Sequence, residues 1–261
     1  MNYRSIAAVI VAMVLAGIAM LSLRSSQVQG KAANPPDTCR DLLTESQLKQ
    51  FLNDAVSAGG TVGGLFNGTR MWGAIVNRDG ELCVYTTSTS DPSQVWPGSQ
   101  AIAKAKAYTA NAFSLDGFAL SSARLYTFTQ PGHSLWSLGQ SNLFESHFLA
   151  APGGQGGGRN QITGGLIFFG GGMPLYRNGR IIGGLGISGD TSCADHEIAK
   201  RVRHLAGFDP THLPGGMLAD DIIYSPPDNP SVFAHPLCVN TWRNGAFVGE
   251  ERPATYQSIV Q

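Results

Sequence analysis

The chain has 261 residues, 18 basic and 18 acidic, so its formal net charge is zero and only 14% of positions are charged. A balance this even excludes a sequence-independent nucleic-acid binder, which needs a basic face to displace counterions, and the 43% apolar fraction suffices for one sizeable core. Glycine is the outlier at 33 residues, ten between 153 and 172 and fifteen between 153 and 189, without the three-residue period of collagen.

At the N-terminus, Arg4 precedes an uncharged stretch from Ile6 to Leu23 that Arg24 closes. This is longer than the about 7–15 residues of a signal-peptide core and shorter than the about 20 of a spanning helix. Residues 1–30 therefore read as an export signal or an uncleaved anchor, and 31–43 as a polar linker. Cys39, Cys83, Cys193 and Cys238 fall in the exported part. An even count there predicts two disulfides with three connectivities open, four buried free thiols being the alternative. The pairing Cys39–Cys83 with Cys193–Cys238 is preferred, because each bond would tie a terminal extension to the nearer core element.

Apolar residues at helical spacing behind Thr44 predict a first helix over 44–58. Trp72–Val76 and Glu81–Thr87 flank Asn77-Arg78-Asp79-Gly80 as a β-hairpin. An alanine-rich run from Ser99, as cap, to Phe113 predicts a second helix. Residues 116–162 are loop-rich, with a short helix at Leu120–Tyr126, and 153–158 read as a flexible loop. Gly164–Phe169 and Met173–Tyr176 are expected to be extended, and Arg180–Ser188 to return across Asn178-Gly179 as a tight hairpin. A Ser192–Asp195 capping box opens a helix to Ala206, closed by Gly207. From 208 to 261 the chain is proline-rich and irregular, an extension expected to wrap the domain at 44–207.

Gly184-Leu185-Gly186-Ile187-Ser188-Gly189 spells a dinucleotide fingerprint, but the glycines lie inside a predicted strand and Asp209 sits in coil, so no NAD site is expected. Glycines in a strand instead let a flat ligand or a packed helix approach the backbone closely. The helix start after Gly189 offers amides to a carboxylate, opposed by Asp190 and Asp195. His196-Glu197 begins the zinc motif H-E-x-x-H, but position 200 is lysine; with no C-x-x-C pair either, no structural zinc is expected. Asp195 and His196 could still act in proton transfer, or form only a solvated first helical turn. Lys106 and Thr109, three apart on a helix, share a face and could meet an acidic small ligand. No G-x-S-x-G elbow is present.

Ala103-Lys104-Ala105-Lys106-Ala107-Tyr108-Thr109-Ala110, Gly170-Gly171-Gly172-Met173-Pro174-Leu175-Tyr176, Asn178-Gly179, Gly183 to Gly189 and Asp195 to Ala199 together resemble the GlcG/HbpS haem-binding family. They also resemble the C-terminal domain of PduO-type proteins. The resemblance implies an α/β (α+β) domain with a central antiparallel sheet of about five strands, helices packed on its faces, and homo-oligomers. It implies binding of haem or a related tetrapyrrole, in exported members for haem sensing, capture or turnover. Lys106, Thr109, Gly172, Gly186, Ser188 and Gly189 become the expected ligand-binding residues, between the glycine-rich sheet and the Lys106 helix. Some relatives carry a haem-ligating histidine in the first helix, and residues 44–58 contain none. The iron ligand is then expected from His196, His147 or His133, or from a weak oxygen donor. The alternatives are an enzyme acting on a small organic acid or degrading haem, with Lys106 orienting the substrate and His196 or Asp195 moving the proton, and a structural envelope protein. The expected partner is a small molecule, with no nucleic acid, and membrane contact only through the N-terminal segment.

Overall fold

The computed structural model describes residues 39–149 and 161–253; the expected leader and the glycine loop at 153–158 lie outside them. Helix α1 is Glu45–Ser57. Gln47 N donates to Thr44 Oγ1 at 3.3 Å and Thr44 N donates to Gln47 Oε1 at 2.9 Å, closing a capping box at the expected threonine. Leu48, Leu52 and Ala55 form its buried stripe. Strands β1 (Trp72–Asn77) and β2 (Leu82–Thr87) follow as the expected hairpin. Gly80 N donates to Asn77 O and Gly80 takes φ +88° in the turn, and further along the hairpin the register shifts between Ile75 and Val76, where Cys83 is the extra residue on β2.

Helix α2 is Ser99–Ala112. Its cap is Gly98 rather than the expected Ser99, which is the first helical residue and buried. Strands β3 (Gly172–Arg177) and β4 (Arg180–Ser188) meet across Asn178-Gly179, with φ of +50° and +81°, the left-handed pair a type I′ turn requires. Helix α3 is Ser192–Leu205, and Gly207 at φ +69° ends it as expected. Its cap is Thr191, whose hydroxyl accepts from Ala194 N, and not Ser192 with Asp195. Asp195 is drawn inward to Lys106 and has no role as a cap.

The fold is α+β, with sheet order β2-β1-β4-β3 and every neighbour antiparallel. The sheet has four strands, not about five, because Gly164–Phe169 does not join it. Gly164 and Gly165 take φ of +60° and +77°, which breaks an extended run, and the segment bonds to loops and a helix instead: Gly165 N to Asn142 O, Ile167 N to Thr109 Oγ1.

Helices α1 and α3 cover one face of the sheet, where Leu48, Leu52, Ile75, Leu185, Ile187, Ile198 and Val202 form one core. Helix α2 covers the other, with Trp72, Ala74, Val76, Ala103 and Ala107. Along β4 the side-chain alternation sends Gly184 and Gly186 toward α2. A methyl group at Gly186 would collide with the Ala103 and Ala107 backbone, and one at Gly184 with Ala107 and Asn111. The alanine-rich helix and the glycine-rich strand therefore meet backbone to backbone.

Beyond α3 come β5 (Ile223–Tyr224) paired in parallel with β6 (Ala234–His235), and the hairpin β7 (Thr241–Arg243) with β8 (Ala246–Gly249). The disulfides are Cys39–Cys83, with Cα atoms 5.6 Å apart, and Cys193–Cys238, 5.9 Å apart, the preferred pairing. The second fastens this C-terminal segment to the first turn of α3. Among the described residues no helix is long and apolar enough to cross a membrane.

Candidate functional site

Lys106 projects from α2 past the end of β4, where its Nζ donates to Asp195 Oδ2 at 2.7 Å and to Ile187 O at 3.0 Å. The Phe169 ring lies 4.9 Å from the same nitrogen, a cation–π contact. Both members of the ion pair are sealed, with side chains 0% and 2% exposed. Burial drives the Lys106 ammonium below its usual range against the pull of Asp195, and it raises the Asp195 carboxyl to about 6 against the pull of Lys106. Asp195 Oδ1 also accepts from Asp190 N at 2.9 Å. Asp190 in turn gathers the amides of Leu65, Phe66 and Gly68, so it is spent on a loop of the chain itself and does not oppose a bound anion.

The remaining expected ligand-binding residues are likewise occupied internally. Thr109 Oγ1 donates to Ala105 O at 2.8 Å and accepts from Ile167 N at 2.9 Å. Gly172 and Gly186 seat α2, Gly189 lies against the Arg70 backbone, and Ser188 is buried opposite Trp72. The expected ligand space between the glycine strand and the Lys106 helix is filled by the helix backbone. Clefts of about 640, 460 and 1030 Å³ open elsewhere, at Cys39–Val84, Arg124–Asn244 and Ser225–Pro253, and Lys106, Thr109 and Ser188 line none of the three.

His196, one turn into α3, is also sealed. Its Nε2 donates to Asp221 Oδ1 at 3.2 Å, and its Nδ1 is buried without a partner among the described residues. Lys200 Nζ reaches Asp221 Oδ2 at 3.2 Å and Glu197 Oε2 at 2.9 Å. Burial alone would raise the Asp221 carboxyl, but the His196 bond and the Lys200 charge hold it well below the usual carboxylate range. The two side chains considered for proton transfer, His196 and Asp195, are both buried, 0% and 2% exposed.

His235 is the histidine on which the C-terminal segment docks. Its Nδ1 donates to Pro236 O at 2.7 Å, and its Nε2 accepts from Gly170 N at 3.3 Å with Ser192 Oγ at 3.4 Å. Because a carbonyl only accepts and an amide only donates, the ring is the neutral Nδ1–H tautomer. Burial lowers its pKa to about 4. His204 is held by Asp209 and His212 by the Asp116 carbonyl. Only His133 and His147 have exposed rings with no side-chain hydrogen bond among the described residues. His133 shares a loop with Trp136, 60% exposed, and His147 lies between Leu143 and Leu149, 78% and 55% exposed.

Residue spacing pairs Lys106 with Thr109 on one helix face. The fold pairs Lys106 with Asp195, 89 positions away, and His196 with Asp221, which lies in the extension and carried no motif. The one available signal for His235 was its i, i+3 spacing to Cys238.

A family model described as "Haem degrading protein HbpS-like" matches residues 43–203. Klebsiella pneumoniae protein ORFY is 19% identical over 62% of this chain and 86% of its own, with a TM-score of 0.43. PduOC, solved as a haem complex, is 26% identical over 61% and 88%, with a TM-score of 0.41. HbpS is 19% identical over 62% and 89%, with a TM-score of 0.39. No curated protein matches the chain.

Proposed function

The chain belongs to the HbpS-like family, and we propose that it binds haem or a related tetrapyrrole at its surface. The observation that carries the reading is the family match across the sheet and the three α-helices of the described residues. The packed contact of α2 on β4 excludes a planar group between them. Four of the six histidines are engaged internally, which leaves His133 and His147 to hold the iron, beside the exposed apolar side chains of their loops. When bound, haem supplies a redox-active iron; the chain supplies an imidazole nitrogen and an apolar edge that excludes water. Export, or anchoring through residues 1–30, is part of the same proposal, supported by the apolar N-terminal stretch and by two disulfides. Association into a homo-oligomer is proposed from the family resemblance and is read by size-exclusion chromatography with light scattering.

Titration of the purified protein with haemin is expected to give a saturable Soret shift. His133→Ala or His147→Ala should weaken binding about tenfold or more at unchanged urea stability, while the exposed-site variant His204→Ala leaves it intact. Absence of a saturable shift at micromolar protein rejects the proposal, and retention of full affinity in the His133→Ala/His147→Ala double variant rejects these ligands.

A further inference from the structure

Cys193, His235 and Cys238 bring two sulfurs and one imidazole nitrogen within 4.8 Å of one another, all three residues buried. We propose that opening the Cys193–Cys238 disulfide turns this cluster into a three-ligand site for a soft or borderline divalent cation such as Zn²⁺, with the fourth position left to Ser192 or water.

The size of the cradle fits. Tetrahedral zinc holds sulfur at about 2.3 Å and nitrogen at about 2.0–2.1 Å, which separates its ligand atoms by roughly 3.5–3.8 Å. Once the sulfurs are no longer bonded, side-chain rotation from Cα atoms 5.9 Å apart can reach that spacing. The imidazole is already prepared: Nδ1–H is fixed on the Pro236 carbonyl, so the Nε2 lone pair points into the cluster, the orientation that backbone carbonyls impose on metal-binding histidines. Ser192 Oγ stands between the two kinds of ligand, 3.3 Å from Cys238 Sγ and 3.4 Å from His235 Nε2. Cys193 is the second residue of α3, and its own amide lies 3.2 Å from Cys238 Sγ, so a helix N-terminus favours thiolate at both positions. Cys39–Cys83 has no histidine in such a cluster among the described residues.

The chemistry balances in two steps. A dithiol reductant gives two electrons and two protons to the S–S bond and becomes a disulfide itself. The two cysteine thiols then lose one proton each as two metal–sulfur bonds form, and His235 gives its lone pair without losing a proton. The oxidised chain has no thiolate and takes up no metal at this place, so the state of one disulfide decides whether the site exists.

The test uses the full chain carrying Cys39→Ser/Cys83→Ser, reduced with a trialkylphosphine, which becomes the phosphine oxide by taking oxygen from water. Titration with Co²⁺ is expected to give a thiolate-to-cobalt charge-transfer band that saturates at one metal per chain and is displaced by Zn²⁺. His235→Ala should weaken uptake at least tenfold. His235→Cys should restore it with a stronger charge-transfer band, which separates ligand loss from misfolding. No band in the reduced chain overturns the proposal. So do equal bands in oxidised protein, unchanged affinity in His235→Ala, or uptake only by a chain that circular dichroism shows to be unfolded.

Discussion

Lys106 and Asp195 both surrender their water to sit beside each other at 0% and 2% side-chain exposure. Removing one partner of such a pair leaves a buried charge with nothing opposite it, which costs about 3–5 kcal/mol, whereas replacing both by apolar groups of similar volume is close to neutral. Lys106→Met should therefore lower the urea midpoint strongly, and Lys106→Met/Asp195→Leu should recover most of the loss. A lysine that served mainly to meet ligand would show the reverse pattern, with affinity falling and stability holding. His235 carries a pH signature. The unfolded chain protonates this imidazole near pH 6.5, and the folded chain resists until about pH 4, because burial penalises the charged ring and the neighbouring His196 and Lys106 add to that penalty. Stability from this group is thus full above 6.5 and is lost as pH falls through that window, by about 3 kcal/mol at its lower end. Asp195 acts in the opposite sense between 3.8 and about 6, since its folded form holds the proton more tightly. The His235 contribution is read as the difference between wild type and His235→Asn in denaturation series at pH 7, 6, 5 and 4.5; a difference that does not vary with pH would refute it.

Gly186 decides how closely α2 can lie on β4. In a strand, glycine ordinarily costs about 0.5–1 kcal/mol relative to alanine. Gly186→Ala should nonetheless destabilise by about 2–3 kcal/mol, because the added methyl meets the Ala103 carbonyl and the Ala107 amide and the helix must move outward. Gly98→Ala, at the cap of the same helix, meets nothing within 4 Å and should change stability by less than about 0.5 kcal/mol. Guanidinium denaturation of both variants checks the contrast. The hairpins and most helix ends were legible from the residues because their signals are local: Asn178-Gly179 supplies two left-handed residues, and Thr44 with Gln47 caps itself. Helix starts at Ser99 and Ser192 were displaced by one residue, since the preceding position in each case could cap as well. The segment Gly164–Phe169 read as a strand because its apolar residues suit one, yet a run of apolar residues does not report the positive φ of the two glycines before it.

At the scale of the molecule, two disulfides of similar span hold the ends of the described chain to the sheet and helices, closing separations of 44 and 45 residues. Each is worth about 4 kcal/mol in loop-closure entropy, on the order of 10 °C in melting temperature for a chain this long. Cys193→Ser/Cys238→Ser should therefore lower the melting temperature by that amount and speed hydrogen exchange in residues 208–253. Exchange in β1 and β4 should stay slow, because that sheet is covered on both faces without help from the bond. Uniformly faster exchange across the sheet would show instead that the segment and the core unfold as one unit.

By itself the sequence determined the α+β class, the hairpin turns, three helices and the family resemblance, because these depend on spacing, turn chemistry and the order of short motifs; it left three disulfide connectivities open, and the fold selected the preferred one by bringing Cys39 to Cys83 and Cys193 to Cys238. The tertiary structure decided what the glycines and the lysine are for. Close packing spends Gly184 and Gly186 on a helix backbone, and burial spends Lys106 on Asp195, so the space between strand and helix expected to take a ligand is filled. It also decided where His235 stands: a residue of the C-terminal segment, 42 positions from Cys193, arrives beside a disulfide because that disulfide brings it there.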